Sequence, residues 1–236
     1  MRVLGIDTAL PFGAVGLSEN GQILYEEKIP IRPGGGERIP ALIAKALQTV
    51  GWRPEDLDLV VAGRGPGSYT GIRVGLAIGK GLAYSLGIPL TGVSTLLALA
   101  ANYPDWAGLV CPVFDARRGM VYTALYSQDE QGNWVELRPP ELCLLAELTA
   151  GLKKKNAPLL FVGEGARLYR EEITTTLGPA AVFQEGEEGE ADRVNGGVLA
   201  LLGLRRWQEK SENELYTCLP LYLQRTEAEI RWDKGE

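Results

Sequence analysis

The stretch that decides the fold runs from Leu57 to Gly87 and reads LDLVVAGRGPGSYTGIRVGLAIGKGLAYSLG. Its first part, Leu57 to Ala62, is an apolar and β-branched run of the length of a strand. Residues 63–71 then hold four glycines and a proline, which predicts a tight turn. The apolar residues that follow predict a helix from about Thr70 to Leu86, ended by Gly87. A buried strand, a turn and a long helix are the unit of layered α/β folds.

The sequence before this unit predicts three strands and one helix. Asn20-Gly21 separates the second strand from the third, and this residue pair is typical of a two-residue hairpin turn. Apolar residues at three- and four-residue spacing then predict a helix from Ile39 to Val50.

A second set of elements begins after Pro104 and has a related order. Leu109–Phe114 and Val121–Tyr126 read as a hairpin, Leu159–Val162 reads as a further strand, and Asp192 can cap a helix that ends near Trp207. We therefore predict an α/β fold of two lobes, residues 1–104 and 105–236, each a mixed sheet with flanking helices. The end of the chain could return to the first lobe.

The composition excludes several classes of enzyme. The 236 residues include no histidine, so the chain offers no imidazole base, no histidine-activated nucleophile and no histidine-bound metal. Its three cysteines are too far apart for a zinc or CxxC site, and we expect them to be buried thiols. The sequence shows neither a signal peptide nor a membrane-spanning run, so we expect a cytoplasmic protein.

Two segments could hold a phosphate group. Asp7 and Thr8 end the first strand, where a carboxylate could bind hydrated Mg²⁺ and a hydroxyl could meet phosphate; they could equally satisfy donors of their own turn. Gly67, Ser68, Thr70 and Gly71 lie where the long helix begins, and free amides at a helix N-terminus attract anions. A tight turn without a ligand is the alternative for this segment, which matches neither a Walker A loop nor GxGxxG.

Small residues form a stripe along the helix that follows this turn. Gly71, Gly75, Gly79 and Ala83 are four residues apart and therefore share one face. Glycines cost a helix about 1 kcal/mol each, so this face should meet a closely packed backbone, from the chain's own sheet or from another subunit. The helix Ile39–Val50 also has surplus apolar surface, which includes Leu42 and Leu47, so the two helices could form a docking face.

Short basic clusters occur at Arg117-Arg118, Lys153–Lys155 and Arg205-Arg206. Aromatic residues do not interleave with them in the sequence, so we expect solvated faces rather than nucleic-acid grooves.

Five motifs resemble those of the bacterial TsaB family and occur in the same order over nearly the whole chain. They are Leu4–Thr8 (LGIDT), Gly63–Arg73 (GRGPGSYTGIR), Asp115–Tyr122 (DARRGMVY), Gly163–Ala166 (GEGA) and Pro220–Leu223 (PLYL). The resemblance implies a two-lobed actin-like ATPase fold. It also implies a non-catalytic subunit of the complex that makes N6-threonylcarbamoyladenosine at position 37 of ANN-reading tRNAs.

The same resemblance implies the partners. A TsaD-like transferase with a His-x-x-x-His metal site would supply the chemistry, a TsaE-like ATPase would join the complex, and tRNA would be met only through the complex. It also implies a contact with the transferase through helices of the N-terminal lobe, and from the helix patterns above we assign this interface to Arg38, Leu42, Leu47, Arg73, Gly75, Gly79 and Ala83. The resemblance implies no cofactor of the chain's own; it is compatible with ATP or ADP at or near the interface, and with a homodimer of the isolated chain. Two motifs depart from the family: Gly35-Gly36 replaces His-Ser before Glu37-Arg38, and Met120 replaces an acidic residue.

The main alternative is a small-molecule kinase of the same superfamily, with Asp7 and Thr8 at magnesium and phosphate. Such an enzyme usually needs a catalytic aspartate, for which Asp58 and Asp115 are the candidates. A hydrolase related to peptidase-like proteins is a weaker alternative, because the chain lacks a set of metal ligands.

Overall fold

The computed structural model describes residues 1–31, 38–155, 157–184 and 192–224. The Gly35-Gly36-Glu37 departure lies outside these ranges. Within them, no helix is both long and apolar enough to cross a membrane.

Two five-stranded mixed sheets form the framework. The first half contributes β1 Arg2–Asp7, β2 Phe12–Glu19, β3 Gln22–Pro30, α1 Arg38–Val50, β4 Leu59–Gly63, α2 Tyr69–Leu86, β5 Leu90–Val93 and α3 Thr95–Ala100. The second half contributes β6 Leu109–Asp115, β7 Met120–Gln128, β8 Trp134–Leu144, α4 Leu145–Leu152, β9 Leu159–Val162, α5 Glu164–Leu168, α6 Arg170–Leu177, β10 Ala181–Phe183 and α7 Gly196–Lys210.

Both sheets have the same topology. The strand order is β3-β2-β1-β4-β5 in the first and β8-β7-β6-β9-β10 in the second. In each, the first three strands pair antiparallel and the last two are parallel to the central strand. The related order of elements predicted from the sequence is therefore confirmed as a repeated topology.

The last helix of each half packs on the sheet of the other half. The short helix α3 contacts β6 and β7, whereas α7 lies across the strands of the first sheet. At the start of α7 the backbone of the helix lies very close to the backbones of β1 and β2. A Cβ on Gly16 would lie only 2.0 Å from the amide nitrogen of Gly197. A Cβ on Gly5 would lie 2.2 Å from the carbonyl oxygen of Gly196. Glycines at these positions let α7 lie directly on the first sheet.

The other face of the first sheet is covered by α1 and α2. The alternation of side chains along β1 sends Leu4 and Ile6 toward these helices and Val3 toward α7. The three cysteines are free and buried, as predicted.

Several elements differ from the sequence prediction. The predictions omitted the short elements α3, α4, α6 and β10. They also omitted β8, because Pro139-Pro140 interrupts its strand pattern. Asp192 does not cap α7, because the helix begins at Gly196 and Asn195 is the residue before it. The carboxylate of Asp192 instead pairs with Arg167 at 2.9 Å.

Candidate functional site

Asp7 lies at the carboxyl end of β1 and is buried, with 1% of its surface exposed. One carboxylate oxygen accepts a hydrogen bond from the amide of Ala9 (2.8 Å), and the other accepts one from the hydroxyl of Thr95 (2.6 Å). The Thr95 hydroxyl in turn accepts a hydrogen bond from the amide of Gly65 (3.1 Å). The side chain of Asp7 therefore joins β1, the β4–α2 turn and the start of α3.

Burial also changes the acidity of this carboxyl group. Loss of hydration raises the pKa of Asp7 from 3.8 to about 6, against the opposing effect of the hydrogen bonds from Thr95 and Ala9. The space beside it is closed as well, because a Cβ on Gly63 would lie 1.8 Å from the Asp7 carboxylate. Asp7 is thus packed and bonded inside the protein, and this geometry disfavours the role at magnesium that the sequence suggested.

Thr8 has a structural position too. Its hydroxyl donates to the carbonyl oxygen of Gly71 (2.6 Å), and its side chain is 1% exposed. The start of α2 is held by Ser68, whose amide donates to Ala9 and whose hydroxyl accepts from the amide of Gly71. Of the four residues proposed for phosphate in this turn, Ser68 and Thr70 are exposed, Gly67 is half-buried and Gly71 is buried. Nucleotide binding by this turn stays a prediction.

The two candidate aspartates of a kinase each have a structural partner of their own. Asp58 precedes β4, and its carboxylate accepts a hydrogen bond from the amide of Arg2, at the amino ends of the parallel strands. Asp7 lies at the opposite, carboxyl end of β1. Asp115 belongs to the second sheet, where it accepts from the hydroxyl of Tyr169 (2.8 Å) and the amide of Arg117. No group of three or more possible metal ligands occurs among the residues that the structure describes.

The small-residue stripe of α2 faces the chain's own first sheet. A Cβ on Gly75 would lie 2.4 Å from the hydroxyl oxygen of Thr8, and one on Gly79 would contact Ala62 at 3.4 Å. Ala83 is fully buried. These three positions are therefore closed to a partner, which corrects their assignment to an interface.

The same correction applies to α1. Leu42 and Leu47 are 5% and 4% exposed, because they belong to the core between the helix and the sheet. Arg38 and Arg73 are exposed, as a residue at an interface must be in the free chain.

The outward faces of α1 and α2 carry small and apolar residues. Ala41 and Ala44 on α1 and Ala77, Gly81 and Tyr84 on α2 are exposed, and we call these five residues the docking face. A Cβ on Gly81 would meet no atom within 4 Å, so the helix is open there. Neither helix contains an acidic residue. The i, i+4 spacing of Ala77 and Gly81 is a sequence signal for this exposed face of α2. The buried stripe has the same spacing, so the spacing alone does not distinguish the two faces.

A segment after α7 is fastened to the start of α2. The ring of Tyr222 stacks on Tyr69 with centroids 4.7 Å apart, and Arg73 lies 3.9 Å from the centroid of Tyr69. The Nε atom of Arg73 donates to the hydroxyl of Tyr222 (2.7 Å). This bond and the nearby tyrosines raise the pKa of the Arg73 guanidinium, which therefore stays charged.

Comparisons with known proteins agree with this fold and with the motifs. Residues 36–232 match the family model described as TsaD, tRNA N6-adenosine threonylcarbamoyltransferase. The chain is 36% identical to the tRNA threonylcarbamoyladenosine biosynthesis protein TsaB of Bacillus subtilis, over 100% of both chains. It is 39% identical to the Escherichia coli protein of the same name over 136 residues, which are 57% of this chain and 58% of that protein.

A solved structure shows the same architecture. YeaZ from Pseudomonas aeruginosa superposes with a TM-score of 0.77 at 24% sequence identity, over 94% of this chain and 99% of that one. This likeness confirms the predicted fold of two mixed sheets with flanking helices, which is the actin-like ATPase fold. The chain is thus 36% identical to a TsaB protein over its full length, matches the TsaD family model and has the TsaB motifs in the same order. These findings together show that it belongs to the TsaB family.

Proposed function

We propose that this protein is a non-catalytic subunit in the formation of N6-threonylcarbamoyladenosine at position 37 of ANN-reading tRNAs. In this proposal it docks on a TsaD-like transferase, which carries the metal and the reacting groups. A TsaE-like ATPase joins the complex, and any ATP or ADP lies at or near the interface rather than in a site of this chain alone. The names of the curated relatives, which are biosynthesis proteins of this modified nucleoside, support the pathway.

The observation that carries the proposal is the docking face. A face of small and apolar residues allows two helical layers to approach closely and to exclude water. The docking face contains no acidic residue, and Arg38 and Arg73 lie exposed on the same two helices. A partner surface with apolar residues and some carboxylates would therefore be complementary to it.

The lack of histidine in the sequence and the internal bonds of Asp7 support an accessory role. With no histidine, the chain does not supply the His-x-x-x-His site that the family's transferase needs. Asp7, the carboxylate best placed by sequence for phosphate chemistry, has both oxygens in internal hydrogen bonds. Its side chain therefore serves the packing of the first lobe.

A reconstituted reaction tests this function. The purified chain is combined with a TsaD-like transferase, a TsaE-like ATPase and unmodified tRNA, and threonylcarbamoyl-adenylate is supplied. We expect sustained formation of the modified nucleoside only when both this chain and the transferase are present. Full turnover without this chain, or turnover by this chain alone, would contradict the proposal.

A further inference from the structure

The segment that follows α7 bridges the two lobes at one edge of the molecule. The amide of Leu221 donates to the carbonyl oxygen of Arg64 in the β4–α2 turn (2.7 Å). Tyr222 then contacts α2, and Gln224 accepts a hydrogen bond from the hydroxyl of Tyr122 on β7 (2.9 Å). The segment therefore contacts an aromatic residue of each lobe, Tyr69 on α2 and Tyr122 on β7.

An arginine turn precedes Tyr122 in the second lobe. The hairpin between β6 and β7 is closed by a hydrogen bond from the amide of Met120 to the carbonyl oxygen of Arg117 (3.0 Å), and Tyr122 lies two residues beyond. At about 3.3 Å per strand residue, the backbone of Tyr122 lies at most about 13 Å from that of Arg118 and about 16 Å from that of Arg117.

The backbone of this turn is unusual. Arg117 and Arg118 both have positive φ angles, 68° and 56°, a region that side-chain-bearing residues enter at a cost of about 1 kcal/mol or more. Both side chains are exposed, and neither forms an ion pair with a carboxylate in the described parts of the chain. Two charges are thus held at the tip of a hairpin where Asn or Gly would fit with less strain.

We propose that the arginine pair and the tyrosines form an RNA-binding surface, which consists of Arg117, Arg118, Tyr69, Tyr122 and Tyr222 and is called here the Arg/Tyr surface. Guanidinium groups bind phosphates, and exposed aromatic rings stack on unpaired bases. Tyr69 and Tyr222 are each 40% exposed, so part of each ring is available. The fold creates this pattern, because the aromatic residues are distant from the arginine pair in sequence.

The exposed charges of Arg117 and Arg118 favour RNA as the occupant, because guanidinium groups bind phosphates. The chain as a whole has a net charge of −6, so a polyanion would be attracted only by a local group of cations such as this pair. The inference rests on the proposed function, because that function brings an ANN-reading tRNA to the complex. It adds that this chain itself contacts the tRNA there, beside the transferase.

The test compares two double variants in the complex with the TsaD-like transferase. Arg117→Gln with Arg118→Gln removes two charges from the Arg/Tyr surface and leaves the tyrosine cluster in place. Lys153→Gln with Lys154→Gln removes two charges from the exposed end of α4 and is the matched control. Binding of an unmodified ANN-reading tRNA transcript is measured by filter binding from 50 to 300 mM KCl. Affinity for the transferase is measured separately by calorimetry.

We expect the arginine variant to bind the tRNA about tenfold more weakly at 100 mM KCl. The slope of log affinity against log salt should fall by about 1.4 to 1.8, because two phosphate contacts are lost. Affinity for the transferase should stay the same, and the lysine variant should behave as the wild type in both measurements. Equal tRNA affinity and slope in the arginine variant would overturn the RNA assignment. Weaker binding of the transferase alone would assign the surface to a protein partner and also overturn it. Failure of the wild-type chain to bind the transferase would instead contradict the proposed function.

Discussion

The two halves of this chain repeat one topology but use it differently. Helices α1 and α2 of the first half have 13 and 18 residues, whereas the corresponding positions of the second half hold α4 with 8 residues and the pair α5 and α6 with 5 and 8. The longer helices provide the docking face in the first half. The second half instead contributes α7, whose 15 residues cover the other side of the first sheet.

The aspartates that end the two central strands show the same contrast. Asp7 is buried, and its carboxylate bonds join three elements of the first half. Asp115, which ends β6, is half-buried and bonds to its own turn and to Tyr169. One repeated position thus serves rigid packing in the first half and remains partly open in the second.

The largest expected effect comes from closing the gap between α7 and the first sheet. In Gly16→Ala the new methyl would overlap the backbone of Gly197, which has no flexible side chain to move away. We expect a loss of about 3 kcal/mol or more of unfolding free energy. Thermal denaturation should show a fall of about 6 to 12 °C in Tm, at roughly 2 to 4 °C per kcal/mol for a chain of this size.

The control for this variant is Gly81→Ala. That position is open on the surface of α2, and alanine should stabilise the helix by up to about 1 kcal/mol. If the Tm of Gly16→Ala lay within about 2 °C of the wild-type value, the variant would have lost about 1 kcal/mol or less. The close packing of α7 on the first sheet would then not be required for stability.

A second pair of variants compares the two aspartates through their hydroxyl partners. Thr95→Val removes a hydroxyl that donates to buried Asp7 and accepts from Gly65, so two buried groups lose a partner. We expect a cost of about 2 to 4 kcal/mol. Tyr169→Phe removes the donor to Asp115 in the more open second half and should cost about 1 kcal/mol or less. Urea denaturation of both proteins measures the difference, and equal costs would refute the contrast.

The buried carboxylate also predicts a dependence on pH. Its pKa of about 6 in the folded protein exceeds the ordinary value of 3.8, so the folded state binds the proton more tightly than the unfolded state. The contribution of this group to stability is therefore fully present below about pH 4 and is lost as the pH rises to about 6.

Asp7→Asn has no such titration. The unfolding free energy of the wild type relative to this variant should fall by about 2 to 3 kcal/mol between pH 4 and pH 7, at about 1.4 kcal/mol for each pKa unit. A constant difference across this range would mean that Asp7 is hydrated in the folded protein.

The sequence predicts most of this fold because its strongest signals are local. The hairpin at Asn20-Gly21 is confirmed, with positive φ at both residues, and α2 ends at Gly87 in the left-handed conformation, as expected for a terminating glycine. The strand β8 was missed because Pro139-Pro140 breaks its alternation, yet the strand lies at the edge of its sheet, where proline is tolerated.

The candidate site was harder to predict because it depends on contacts that are distant in sequence. Spacing identifies Gly75 and Gly79 as one face of a helix, but it does not say whether that face meets Thr8 and Ala62 or another protein. Similarly, the residue type of Asp7 suits magnesium, and only the position of Thr95, 88 residues away, shows that its carboxylate is already occupied.

The most direct measurement is a calorimetric titration of the TsaD-like transferase with Gly81→Leu, which adds bulk at the open position of the docking face. The control is Gly151→Leu, at an exposed glycine of α4 where a Cβ would make only an ordinary contact with Arg138 at 3.6 Å. We predict that Gly81→Leu melts at or above the wild-type Tm and binds the transferase at least about tenfold more weakly, a loss of about 1.4 kcal/mol, while Gly151→Leu binds normally. Wild-type affinity in the Gly81→Leu protein would contradict docking through this face.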